Sequence, residues 1–262
     1  MSSDRPIEVA GRTDVGRTRK KNEDGFLVMR LSGDVQDASF AKGEDGARVE
    51  GPVVVAVADG MGGHGGGDVA SRVVLESLSR SIAEAAEGFE AAVPVFVHRA
   101  QADLDAAAED APEHPAMGTT LTVLCIESTV ATLAHIGDSR AYILRDGTLT
   151  QLTEDHTLAE QLRRELDGEE AAGPESPMHH ILYNALQAHA DRQVDVDLTE
   201  LPLQSGDVLM LCSDGLTKEL SDAEISEILA SSNTSAQAAQ KLVDDARDRA
   251  GTDNITVVVA RV

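Results

Sequence analysis

Residues 51–71 read GPVVVAVADGMGGHGGGDVAS. The run VVVAVA (53–58) is unbroken and apolar, the pattern of a strand buried on both faces. It ends on Asp59, and glycines then surround His64. A carboxylate at the end of a buried strand is costly unless it is paired or holds a metal. Beyond the glycines, residues 68–87 place Val69, Val73, Val74, Leu78 and Ile82 three and four apart, which predicts a helix with one apolar stripe.

The same strand pattern recurs outward from this stretch, in FLVM (26–29), TLTVLCI (120–126), TVATLAHI (129–136), AYILR (141–145), DVLMLC (207–212) and ITVVVA (255–260). Runs 120–126 and 129–136, separated by Glu127 and Ser128, predict a hairpin. Residues 94–110 and 235–250 predict further helices, and 32–51 and 164–179 predict loops. No repeat or low-complexity linker divides the chain, so a single domain over 1–262 of mixed α and β structure with antiparallel pairing is expected.

Composition narrows the function. A net charge of −24 argues against a phosphate-backbone binder, so no nucleic-acid partner is expected; solubility is the plainer account of the acidity. With aromatics at 2% and no tryptophan, the core must be aliphatic. Cys125 and Cys212 each sit inside an apolar run and read as reduced core residues. No signal peptide is recognised, and apolar runs of about six residues fall far short of the ~20 that span a bilayer, so no membrane partner and a cytoplasmic location are expected.

Asp59-Gly60 has counterparts. DVLMLC runs into Ser213-Asp214-Gly215, Asp24-Gly25 precedes FLVM, Asp253-Asn254 precedes ITVVVA, and Gly137-Asp138 lies between two strands. Any one such pair is ordinary turn chemistry. Five carboxylates gathered at strand ends would repel one another unless cations neutralise them. Oxygen donors without a Cys/His cluster predict Mg²⁺ or Mn²⁺ rather than Zn²⁺, and the carbonyl of Gly60 is a further candidate ligand. Such a centre acidifies a bridging water and clamps phosphoryl oxygens. Arg19, five residues before Asp24, is placed for a bidentate phosphate contact.

Similar-looking motifs fail. Gly60 to Gly65 matches G-x-G-x-x-G, but Asp59 would repel a pyrophosphate. No Walker lysine follows the glycines. Cys212 and Lys218 lack the arginine of a cysteine-phosphatase loop, and Asp214 would repel the phosphate. No D-x-[DN]-x-[DN]-G loop supports a Ca²⁺-binding structural module.

Seven stretches in order, TDVGRTRKKNED (13–24), VADGMGGHGGGDVAS (57–71), GTTLT (118–122), IGDSRAYILRDG (136–147), LTEDHT (152–157), CSDGLT (212–217) and GTDNIT (251–256), resemble the metal-dependent serine/threonine protein phosphatases of type 2C, in their small bacterial stand-alone form. The resemblance implies an α+β sandwich of two antiparallel β-sheets flanked by antiparallel helix pairs, in α-β-β-α layers. It implies that Asp24, Asp59, Gly60, Asp214 and Asp253 bind two Mn²⁺ or Mg²⁺ ions, with Asp138 and Asp214 at the place of a weaker third. Arg19 then binds phosphate, Glu23 holds metal-bound water, and a hydroxide bridging the metals attacks phosphoserine or phosphothreonine in line.

Phosphorylated proteins, the targets of Ser/Thr kinases, are the implied substrates of a monomeric enzyme. Met61 stands where many members carry the proton-donating histidine. His64 is the nearest substitute, a solvated loop histidine being the other reading. A mobile flap is expected near 155–190, containing His179-His180, which read either as flap residues or as a metal site, and the acidic stretch 165–175, which would select basic substrate segments. The alternative function is a catalytically silent binding or scaffold protein of the same fold, although such members typically lose a carboxylate or the arginine, and all are present here.

Overall fold

The structure, a computed structural model, describes residues 6–31, 38–40, 46–62, 66–84, 89–127, 129–166, 176–190 and 193–262. In chain order these form β1 (Ile7–Asp14), β2 (Asp24–Arg30), β3 (Ala38–Phe40), β4 (Ala47–Val49), β5 (Val53–Met61), α1 (Gly67–Glu84), α2 (Phe89–Asp110), β6 (Gly118–Thr119), β7 (Leu121–Ile126) and β8 (Val130–Ile136). There follow β9 (Arg140–Arg145), β10 (Thr148–Gln151), α3 (Leu158–Glu165), a 3₁₀ turn (Pro177–His180), β11 (Leu186–Gln187), β12 (Asp197–Pro202) and β13 (Val208–Cys212). The chain ends with α4 (Asp214–Thr217), α5 (Asp222–Ser231), α6 (Ser235–Arg249) and β14 (Ile255–Arg261).

The apolar strands are continuous in sequence because each buries two different faces. On β5, Val53, Val55 and Val57 point into one cluster, while Val54, Ala56 and Ala58 point into another. On β13, Leu209 and Leu211 share the first of these clusters, and Val208, Met210 and Cys212 enter a third. The period of two thus sorts the core into three apolar layers. One lies between the sheets, one lies under α1 and α2, and one lies under α5 and α6. The result is a four-layer α-β-β-α sandwich, the architecture expected from the sequence.

All the strand pairs are antiparallel. One sheet runs β10-β9-β13-β14-β1-β4, and the other runs β11-β6-β5-β7-β8-β12 with β2 attached to β5 and β3 to β2. The predicted hairpin is β7–β8. Where 32–51 was expected as a loop, Ala38–Phe40 pairs with β2 and Ala47–Val49 with β1, so part of it extends the sheet edges. The helix expected from 94 starts at Phe89, with Pro94 inside it. Strand β1 was not anticipated. Cys125 and Cys212 are buried and unpaired, as expected, and burial pushes both thiols up to about 12.

Candidate active site

The site is built from strand ends. Asp24, the first residue of β2, is the register partner of Asp59 near the end of β5. The backbone N–H of Gly60 donates to the carbonyl of Glu23 at 3.2 Å, which ties the two ends together. A Cβ on Gly60 would stand 2.1 Å from the Gly67 carbonyl and 2.4 Å from that of Glu23, so only glycine passes there. Thr120 fixes Asp59 from the other side: its Oγ1 accepts from the Asp59 N–H at 2.9 Å, and its own N–H donates to the Asp59 carbonyl at 3.0 Å.

The second sheet brings Asp214 and Asp253. Ser213, which caps α4, donates its hydroxyl to Asp24 Oδ2 at 2.7 Å and accepts the Thr256 N–H at 3.0 Å. Asn254 accepts the Glu23 N–H at 2.9 Å and donates to the carbonyls of Val15 and Lys21, locking the 13–24 stretch onto β14. The guanidinium of Arg19 contacts Asp253 through two bonds, Nε–Oδ1 at 2.9 Å and Nη2–Oδ2 at 3.0 Å. Lys218 Nζ lies 2.6 Å from Asp214 Oδ2 and 2.9 Å from Asp253 Oδ2.

Asp138 arrives on the turn between β8 and β9. A buried polar network holds that turn. Ser139 Oγ bonds Thr120 Oγ1 at 2.8 Å, and Gly137 N–H donates to His156 Nδ1 at 3.1 Å. Because a peptide N–H can only donate, His156 Nδ1 is unprotonated and its Nε2–H donates to Asp197 Oδ2 at 3.2 Å. Asn184 also donates to His156 Nδ1, the Tyr183 ring lies 5.4 Å from the imidazole, and Thr157 bridges to Leu182. His156 therefore bolts the 182–184 segment of the expected flap to the turn that carries Asp138. The His135 ring lies 4.8 Å from it, tilted by 44°, and burial lowers the His135 pKa to about 4.

These elements enclose a cleft of about 620 Å³. Arg19, Glu23, Asp59, Gly60, Asp138, Asp214 and Asp253 all line it, and Asp24 lies buried behind. Met61, Ile181 and Leu182 give it an apolar wall. Burial first, then the neighbouring carboxylates, raise Asp24 to about 6, Asp138 to about 7 and Asp59 well above the usual range. On Asp253 burial acts the same way but is outweighed by Lys218 and Arg19, which leave its carboxyl below the usual range.

Does this set suit a divalent cation? The donors are all oxygens. The buried oxygens Asp24 Oδ1 and Asp214 Oδ1 have no hydrogen-bond partner, and like charges press on one another from both sheets. That chemistry fits a hard divalent ion. Among the described residues no three His, Cys, Asp or Glu side chains already form a finished metal cluster; Asp214 and Asp253 are bonded to cationic side chains instead.

Every expected site residue that the structure describes thus meets at this one cleft. His64 lies outside the described residues, as do 167–175 of the acidic stretch with Glu169 and Glu170. His180 lines the cleft from the 3₁₀ turn, and His179 and His180 share a side pocket with Asp138, Asp155 and Asp214. Among the described residues, however, no three His, Cys, Asp or Glu side chains there are gathered tightly enough to hold a metal.

The family model for protein phosphatase 2C matches residues 33–247. The chain belongs to the protein phosphatase 2C family. A Listeria innocua relative named serine/threonine phosphatase stp is 36% identical over 255 residues, covering 95% of this chain and 93% of that protein. The Mycobacterium tuberculosis serine/threonine protein phosphatase PstP is 36% identical over 98% of this chain, which spans 45% of that longer relative. Among solved structures, the PstP catalytic domain in complex with two manganese ions is 35% identical, with 98% of each chain covered and a TM-score of 0.77. The Streptococcus agalactiae serine/threonine phosphatase is 28% identical, with 98% and 99% covered and a TM-score of 0.83.

Sequence reasoning on this phosphatase 2C chain missed the roles of Ser213, Thr120, Asn254 and His156. Each works through contacts between distant segments, and only their place inside motifs hinted at it.

Proposed function

We propose that the chain is a metal-dependent protein serine/threonine phosphatase whose Asp24, Asp59, Gly60, Asp214 and Asp253 hold a pair of Mn²⁺ or Mg²⁺ ions. The observation that carries this reading is the convergence of carboxylates from both sheets on one cleft, with two buried oxygens left unpartnered. When bound, such a pair supplies an acidified water as nucleophile and counter-charge for phosphoryl oxygens. The residues of the chain do the rest. Arg19, stationed at the cleft edge by Asp253, offers a planar fork for phosphate oxygens. Met61, Ile181 and Leu182 exclude water from one side, and Glu23 supplies a further acceptor. A proton for the departing serine or threonine oxygen comes from a histidine, either His64, the nearest in sequence to the Asp59-Gly60 pair, or His180, which lines the cleft.

The substrates on this reading are phosphoproteins made by Ser/Thr kinases, and the enzyme acts as a monomeric single domain in the cytoplasm. The layer shared by both sheets, which takes residues from Ile7 to Ala260, supports the single domain. Among the described residues no helix is long and apolar enough to cross a membrane. Hydrolysis of a phosphothreonine peptide by purified protein, with Mn²⁺, with Mg²⁺ and with excess EDTA, tests the reading. Turnover with cation and none with chelator is expected. A folded sample inactive with every cation would favour the silent binding protein instead.

A further inference from the structure

Beside the position at which the family resemblance puts a weaker third cation, at Asp138 and Asp214, stands a cation that belongs to the chain: Lys218 lines one pocket with both carboxylates. Lys218 follows Asp214 by one helical turn, so its side chain folds back over that carboxylate. Its backbone is fixed there, with its N–H donating to the Asp214 carbonyl at 2.9 Å. Its ammonium lies 2.6 Å from Asp214 Oδ2 and 2.9 Å from Asp253 Oδ2, and the side chain is 29% exposed.

A side pocket of about 240 Å³ opens off the main cleft at this point. Three carboxylates, Asp138, Asp155 and Asp214, line it together with His179 and His180. Asp155 is neutralised by Arg140, whose Nη2 lies 2.7 Å from Asp155 Oδ2 with a second bond from Nε. Asp214 is neutralised by Lys218. Among the described residues only Asp138 of the three has no ion-pair partner. The ammonium and guanidinium offset the other two carboxylates and His179 and His180 add no negative charge, so with Lys218 in place the pocket is a poor host for a dication. Asp214 also divides its two oxygens: Oδ2 faces Lys218, whereas Oδ1 is buried and unpartnered, free for the metal pair.

We propose that the ammonium of Lys218 takes the place of the third cation, so that this chain saturates with two divalent ions. The inference rests on the two-metal reading above. Lys218 then acts as a positioning residue: it supplies fixed positive charge beside Asp138 and Asp214 at every metal concentration, where a weakly held ion would come and go.

The test is metal stoichiometry, not activity. Full-length protein stripped with chelator is dialysed to equilibrium against Mn²⁺ up to millimolar concentrations, and bound metal is counted for wild type, Lys218→Gln and Lys218→Asp. Folding of each is checked by thermal unfolding. Wild type should level off at two ions per chain. Lys218→Asp should bind a third, and Lys218→Gln should bind the third more weakly than Lys218→Asp but roughly tenfold or more tightly than wild type. Adding Asp138→Asn to Lys218→Asp should return the count to two. A third ion on wild type at the same Mn²⁺ concentration, or two ions on both folded variants, would overturn the inference and leave the metal pair standing. No ion on any of the proteins would overturn the metal pair and the inference together.

Discussion

Asp24 and Asp59 are direct register partners across the antiparallel ladder of β2 and β5. Like charges opposed in this way destabilise a sheet, and burial adds to the cost, lifting both carboxyls above their ordinary range. The pairing makes sense as a site and is a liability as scaffold. Asp59→Asn should therefore abolish turnover while raising the melting temperature of the chelated protein, by at least ~1 kcal/mol of stability. Calorimetry in EDTA checks this; a variant less stable than wild type there would contradict it.

The same strain fixes a pH dependence for the chelated protein. Folded-state values of about 6 for Asp24 and about 7 for Asp138, against an ordinary 3.8, are raised chiefly by burial. The folded chain holds these protons more tightly than the unfolded chain. The resulting stabilisation is complete below pH 3.8 and is lost as pH rises through 6 and 7. Melting temperature in EDTA should fall from about pH 5 to pH 8. Asp138→Asn should be more stable than wild type at the upper end, by an order of a few kcal/mol, with the gain shrinking toward pH 4. Equal stability of the two proteins across the whole range would refute the assignment.

Gly60→Ala is expected to fail structurally. The obstructing atoms are the backbone carbonyls of Gly67 and Glu23, which cannot rotate aside as a side chain would. Separation of β5 from the start of α1 should follow, seen as a loss of several kcal/mol on denaturant unfolding. A well-folded, active Gly60→Ala protein would show that the close approach is dispensable.

His156→Phe keeps an aromatic ring beside His135 and Tyr183 but removes the acceptor for Gly137 and Asn184. Leaving such buried donors unpaired costs about 1–3 kcal/mol each. Hydrogen exchange should quicken over 176–190 and at the Asp138 turn together, and KM for a phosphopeptide should rise. Faster exchange in only one of the two segments would break the proposed link.

The proton donor can be separated from its neighbours by the leaving group. Serine and threonine alkoxides need a proton as they depart, whereas p-nitrophenolate does not. Substituting the true donor, by His64→Ala or His180→Ala, should lower kcat on a phosphothreonine peptide by about 10²-fold or more and leave p-nitrophenyl phosphate turnover nearly intact. Equal losses on both substrates would remove that histidine from the role.

Much of this was legible in the chain because the signal was local. The six apolar residues of 53–58 required a doubly buried strand, and Asp-Gly or Asp-Asn beside such runs marked the carboxylates. Strand β1 escaped notice since IEVAGRTD is broken by Gly11. A Cβ at Gly11 would sit 2.4 Å from the ring of Phe26, so the glycine is set by a neighbour on the other sheet. Edge strand β12 is largely exposed and ends in Pro202, so neither of its faces carries the pattern of a core strand. Lys218 was read as incidental because its second partner, Asp253, lies 35 residues away, and only the fold brings the two together.

The hydroxyl of Ser213 crosses from one sheet to bond Asp24 on the other, and the carboxylate set straddles the same seam. The open end of the sandwich is thus fastened by its own chemistry, like a clasp closing two covers. Cations bound at the seam would tie one sheet to the other, so a force that parts the two sheets at this end would have to unload the active site first.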